Sequence, residues 1–153
     1  MKGDKKRILA LSSGGGHWVQ LLRLRSAFDD GCEVIFATVD KGYEVDLDGG
    51  KLVVIPDANR SNWWNVICSA AAILCLLVKL RPDVVISTGA APGYLAIRLG
   101  KMLGAKTIWL DSVANAEELS MSGEKVGAHA DLWLTQWEHL SKEAGPQFFG
   151  RVF

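Results

Sequence analysis

Residues 9–17 run Leu-Ala-Leu-Ser-Ser-Gly-Gly-Gly-His, an apolar stretch ending in three consecutive glycines and a histidine. This run constrains the fold more than any other. The apolar residues read as a buried strand, and three glycines permit a tight turn into the helical pattern that begins at His17. A strand that turns through glycines into a helix is the opening unit of a parallel sheet. The turn also bares backbone N–H groups at the positive end of the helix, which suits a phosphate oxygen. Ser13, Gly14, Gly15, Gly16 and His17 are therefore candidate phosphate-binding residues, and His17 is a candidate proton acceptor near neutral pH. A ligand-free turn with His17 as a capping or solvent residue fits the same sequence.

The pattern then repeats. Strands are expected at 8–12, 33–39, 51–55, 83–88, 107–110 and 132–135, and helices at 17–27, 61–80 and 93–103. Ser61 or Asn62 is placed to cap the second helix, and a polar tail follows Trp137-Glu138. Strands alternating with helices predict an α/β chain with a Rossmann-like, doubly wound parallel sheet. Ligands of such sheets sit at the carboxyl ends of the strands, where residues 14–17, 88–93 and 111–115 are expected to converge.

At 153 residues the chain has enough length for a single domain over 1–153, and too little for two α/β lobes. Seventeen basic side chains balance seventeen acidic ones, so no global positive field recruits nucleic acid. Cys32, Cys68 and Cys75 show no metal-ligand or C-x-x-C spacing and read as reduced thiols. His17, His129 and His139 lack a zinc pattern, so no metal site is expected, and the basic start leads into a short strand rather than a signal peptide.

A dinucleotide fingerprint needs a further glycine where Val19 stands, although Asp40 ends the second strand where a ribose-binding acid would lie. A P-loop is excluded because no Gly-Lys-Ser/Thr follows the glycines. The second small-residue loop contains Thr88, Gly89 and Pro92 and offers another helix N-terminus to an anion. Asp111, Ser112 and Asn115 after the fifth strand suit either a base and sugar-hydroxyl ligands or a turn that caps the next helix.

Residues 63–78 carry no charge at all. A helix of that length reaches ~24 Å, short of a ~30 Å hydrocarbon core, so spanning is not expected. A charged outer stripe is also missing. Trp63, Trp64, Ile67 and Leu74 are therefore candidates for contact with a partner or a bilayer interface, with Lys79 and Arg81 snorkelling.

The glycine–histidine loop, Arg81-Pro82-Asp83-Val84-Val85 and Thr88-Gly89-x-x-Pro92 resemble the acceptor-binding, N-terminal half of GT-B glycosyltransferases such as the peptidoglycan lipid-intermediate N-acetylglucosaminyltransferases. Ile108-Trp109-Leu110-Asp111-Ser112, Leu119-Ser120-Met121-Ser122-Gly123 and the run 130–137 resemble more closely the membrane-associating subunits of two-part UDP-N-acetylglucosamine transferases of asparagine-linked glycosylation and their bacterial exopolysaccharide and capsule relatives. The resemblance extends over residues 8–152.

It implies a membrane-peripheral subunit at the cytoplasmic face that binds a polyprenyl-diphosphate-linked saccharide. A small partner subunit would hold the UDP-sugar, and no cofactor would be needed. It further implies that Gly14, Gly15, Gly16 and His17 meet the acceptor diphosphate or the transferring sugar, that Thr88, Gly89 and Pro92 form a second wall, and that the segment 148–153 packs on the partner. His17 or Asp111 would take the acceptor proton, with His17 preferred because it stands on the loop. Asp111 replaces a glutamate common among such relatives, and the transmembrane anchor of the eukaryotic type is missing, so attachment would rest on residues 63–78. A non-catalytic membrane adaptor and a nicotinamide-dependent oxidoreductase remain as alternatives.

Overall fold

The computed structural model describes residues 5–28, 31–58 and 62–153. Seven strands, β1 (Lys6–Leu11), β2 (Cys32–Thr38), β3 (Lys51–Val54), β4 (Val84–Ser87), β5 (Lys106–Leu110), β6 (Leu132–Thr135) and β7 (Gln147–Phe148), form one sheet. Its order is β3-β2-β1-β4-β5-β6-β7, and every pair is parallel. The predicted doubly wound sheet is thus the observed one. The chain leaves β1 on one side for β2 and β3, then returns to lay β4 against its other side. That reversal opens a crevice beyond the carboxyl ends of β1 and β4.

The helices are α1 (Gly16–Arg23), α2 (Trp63–Leu80), α3 (Ala90–Met102) and α4 (Met121–Val126). Side chains of β1 alternate between two apolar layers, as the period of a strand requires. Leu9 and Leu11 pack with Ile73 and Leu77 of α2 and Ile97 of α3, whereas Ile8 and Ala10 pack with Trp18 and Leu21 of α1. The largest fully buried side chains are Trp18 and Trp109.

Boundaries differ from expectation where local chemistry intervenes. The first helix stops at Arg23 and tightens to a 3₁₀ turn over Leu24–Ala27. Asn62 caps α2, its side chain accepting from Trp64 N at 3.1 Å, while Ser61 lies outside the described residues. The third helix begins at Ala90 rather than residue 93, because Pro92 fits the first turn, where its missing N–H leaves no bond unmade. The 3₁₀ turn Lys41–Leu47, helix α4 and strand β7 were not expected. Asp40 caps the first of these, accepting from Gly42 N at 2.8 Å.

α2 holds the sheet through Ser69, Ile73, Leu76 and Leu77 and leaves the opposite face open. Trp63, Trp64, Ile67, Leu74 and Val78 are all exposed, and the two tryptophan rings stack at 4.2 Å. By length and composition the 18-residue helix is apolar enough to cross a membrane. Its buried face, from Ser69 to Leu77, nevertheless packs against the core beside the sheet.

Candidate active site

The crevice is built from the loops after β1 and β4. Gly15 caps α1 with φ 65° and ψ −138°, a conformation that side chains resist, and its N–H donates to Tyr43 Oη at 2.8 Å. Across the crevice the two loops lock reciprocally. Thr88 Oγ1 donates to the His17 carbonyl at 2.6 Å, and His17 Nδ1 lies 2.9 Å from the Thr88 carbonyl. A carbonyl only accepts, so Nδ1 carries a hydrogen, and the tautomer of this ring that can accept a proton does so at Nε2.

Gly89 makes this approach possible. Its φ is 141°, and a Cβ there would overlap His17 Nδ1. Ala90 follows with φ 64°, a left-handed backbone that an alanine adopts at a cost of about 1–2 kcal/mol. Neither α1 nor α3 has a side-chain cap, so their first N–H groups stay free of such bonds at the same crevice.

A cavity of about 270 Å³ opens beside the lock, lined by His17, Ala90, Ser112, Asn115, Ser120 and Met121 among others. His17, Ser112 and Asn115 are thus brought together as anticipated. Thr88, Gly89 and Pro92 are buried behind this wall, which Ala90 forms in their place. Ser13 and Gly14 are partly covered and Gly15 and Gly16 exposed, beside the cavity rather than in its lining.

Asp111 is 2% exposed and does not line the cavity. Its Oδ1 accepts from Ser120 Oγ at 2.6 Å and Trp109 Nε1 at 3.2 Å, and its Oδ2 from Ser120 N at 2.9 Å and Asn115 Nδ2 at 3.2 Å. Four donors fill the carboxylate's acceptor sites, so Asp111 organises the loop to α4 and has no lone pair turned to an acceptor hydroxyl. Ser112 Oγ likewise accepts from Gln20 Nε2 at 3.0 Å and Ala114 N at 3.3 Å, the turn-capping behaviour its residue type allows.

Sequence reasoning missed the supports. Gln20 on α1 donates to Gly16 O at 3.2 Å and to Ser112, while its Oε1 accepts from Val113 N at 2.9 Å and Gln136 Nε2 at 2.5 Å. Tyr43, held by tilted stacking on Trp18 at 5.2 Å, stands against Gly14 and Gly15. The one available signal was polarity among apolar neighbours: Gln20 next to Leu21, and Gln136 directly after β6. Cys32, Cys68 and Cys75 are not joined in disulfides, and no metal-holding group of three stands among the described residues.

This architecture is the Rossmann-like fold of a GT-B glycosyltransferase half. MurG of Acinetobacter baumannii superimposes with a TM-score of 0.74 at 13% identity, over 93% of this chain and 47% of that one. UDP-N-acetylglucosamine 2-epimerase from Rickettsia bellii gives 0.69 at 14% identity, over 88% of this chain and 40% of its own. The chain therefore spans less than half the length of these solved structures. No family model matches it. In sequence it is similar to the UDP-N-acetylglucosamine transferase subunit alg14 of Schizosaccharomyces pombe, 26% identical over 92% of this chain and 80% of that protein. The likeness read in the motifs thus stands: the chain is a homologue of a glycosyltransferase subunit.

Proposed function

We propose that residues 1–153 form the acceptor-binding domain of a two-part hexosyltransferase that works at the cytoplasmic face of a membrane. Its acceptor is a polyprenyl-diphosphate-linked saccharide, and a small companion subunit holds the UDP-sugar. One observation carries the reading: His17, bonded through Nδ1 to the Thr88 carbonyl at the sheet's switch point, lines the cavity and has Nε2 as its remaining ring nitrogen.

That nitrogen takes the proton of the acceptor hydroxyl as the hydroxyl oxygen attacks the anomeric carbon. The bond from that carbon to UDP breaks, the UDP leaves with the electron pair, and displacement inverts the anomeric centre. The N-termini of α1 and α3 offset diphosphate charge. Asn115 and Ser120 are placed to orient sugar hydroxyls, and Asp111 is a positioning residue rather than the base. The exposed face of α2, which begins at the same end of the sheet, lies in the bilayer interface and delivers the lipid-linked acceptor to the crevice. Similarity to alg14 supports a partner-dependent transferase over an adaptor or an oxidoreductase, and Asp40 supports the latter less now that it caps a 3₁₀ turn.

The test is transfer from a labelled UDP-sugar to polyprenyl-diphosphate saccharide by the chain coexpressed with the companion encoded in its host. His17→Ala is expected to lower turnover at least ~100-fold while the pair still copurifies. Unchanged turnover would remove His17 from the chemistry and return the adaptor reading.

A further inference from the structure

A larger cavity, about 750 Å³, opens at the other end of the sheet from the crevice, between the carboxyl ends of α2 and α3. Its volume falls within the roughly 300–1,000 Å³ of ligand sites. Leu77, Val78, Val84 and Leu103 give it apolar walls, and Lys6, Arg81 and Lys106 stand around them. The one carboxylate in the lining, Asp83, is already engaged: it lies 3.5 Å from Lys6 Nζ and accepts from Arg7 N at 2.8 Å. Glu33 within β2 and Asp131 just before β6, at the same end, are paired to Lys51 and Lys101. Among the described residues Arg81 and Lys106 have no ion-pair partner.

Arg81 also sits where an arginine is unfavourable. It ends α2 with φ 47°, a left-handed cap that glycine or asparagine adopts more readily. No aromatic ring lines the groove to stack a base, and Asp83 is not free to hold a ribose. Free cations above apolar walls match a phosphate that carries hydrocarbon. The groove is continuous with the uncovered face of α2, because Val78 belongs to both and is 53% exposed.

We propose that this groove seats the headgroup of an anionic phospholipid, Arg81 and Lys106 meeting its phosphate while Leu77, Val78 and Leu103 meet its glycerol and upper acyl region. The inference rests on the membrane contact proposed for α2 and adds its geometry: the helix lies flat, with Trp63 and Trp64 at headgroup level at one end and the cationic groove at the other.

The purified full chain is sedimented with phosphatidylcholine vesicles and with vesicles containing about 30% phosphatidylglycerol at about 0.1 M salt. Wild type is expected to prefer the anionic vesicles by roughly tenfold to thirtyfold. Arg81→Asn with Lys106→Gln should erase that preference and leave binding to phosphatidylcholine unchanged. Asparagine suits the left-handed cap, so the variant should keep its thermal midpoint. A control with Lys125→Gln and Lys142→Gln should retain most of the preference. A groove variant that keeps the full preference, or a control that loses as much, overturns the proposal while the α2 contact stands. Binding to neither vesicle overturns both.

Discussion

Gln136 Nε2 donates to Gln20 Oε1 at 2.5 Å across 116 residues of sequence, and both side chains are almost fully buried. The pair joins three parts of the molecule. Gln136 also donates to Asp111 O at 3.0 Å and accepts from Val152 N at 3.1 Å, while Gln20 reaches Gly16 and Ser112. The C-terminal segment is thereby connected to the glycine loop. Truncating either amide leaves its partner's polar atoms buried and unpaired. Gln136→Leu and Gln20→Leu should each cost about 1–3 kcal/mol, and the double variant should cost less than the two together. Urea unfolding of the three variants decides it, and simple additivity would contradict the coupling.

Adjacent residues at the start of α3 should respond oppositely. Gly89→Ala drives a Cβ into the His17 ring from a backbone that disfavours it, and should lower stability by about 1–3 kcal/mol while abolishing transfer. Ala90→Gly relaxes a left-handed alanine and should raise stability by up to ~1 kcal/mol. Thermal unfolding of both variants measures the contrast.

Asp111→Asn tests positioning against base chemistry. The amide keeps one acceptor oxygen but turns donors toward Ser120 and Trp109 or Asn115, so about 1.5–3 kcal/mol of stability should be lost. Transfer measured well below the unfolding temperature should persist to within ~10-fold, whereas loss of a general base removes ~100-fold or more.

Acid stability should depend on Asp131. A hydrogen bond from Lys101, reinforced by Thr107 N at 2.9 Å, holds its carboxyl at about 2 against an ordinary 3.8. The folded value lies below the unfolded one, so this stabilisation is complete above about pH 4 and fades as pH falls toward 2. The side chain is 27% exposed, which limits the contribution to about 1–2 kcal/mol. Asp131→Asn should lose that amount at pH 7 and show a flatter decline between pH 4 and 2 in denaturant midpoints.

Neighbouring positions on α2 separate core from contact surface. Ile73 is fully buried and Leu74 is 41% exposed. Ile73→Ala should cost about 2–5 kcal/mol, and Leu74→Ala within ~0.5 kcal/mol. Leu74→Glu should leave the unfolding curve in place and weaken vesicle sedimentation, the readout that distinguishes an interface residue from an inert one.

The regular elements were legible because their signals are local. Strands covered on both faces need no alternation of polar and apolar residues, and continuous apolar runs such as Val84-Val85-Ile86 are bounded by Pro82 and Gly89. The glycines of residues 14–16, the uncharged stretch of α2 and the small residues of the second loop likewise declare turns and faces without reference to distant chain. Helix α4 was overlooked because six residues containing Gly123 give too little periodicity, and only the Ser120 cap, accepting from Gly123 N at 2.8 Å, announces it.

Sequence by itself determined the succession of β1 to β6 with α1, α2 and α3, the glycine turn that brings His17 to a helix start, and the apolar outer face of α2. These follow from residue-by-residue conformational limits and from periodicity. Only the tertiary structure decided what each polar group at the site does. Thr88 fixes the imidazole hydrogen on Nδ1, Ser120 and Asn115 help fill the carboxylate of Asp111, and Gln136 meets Gln20 beneath the loop. Hydrogen bonds between distant residues depend on strand order and crossover, through which the folded chain brings their donors and acceptors within about 3 Å of one another.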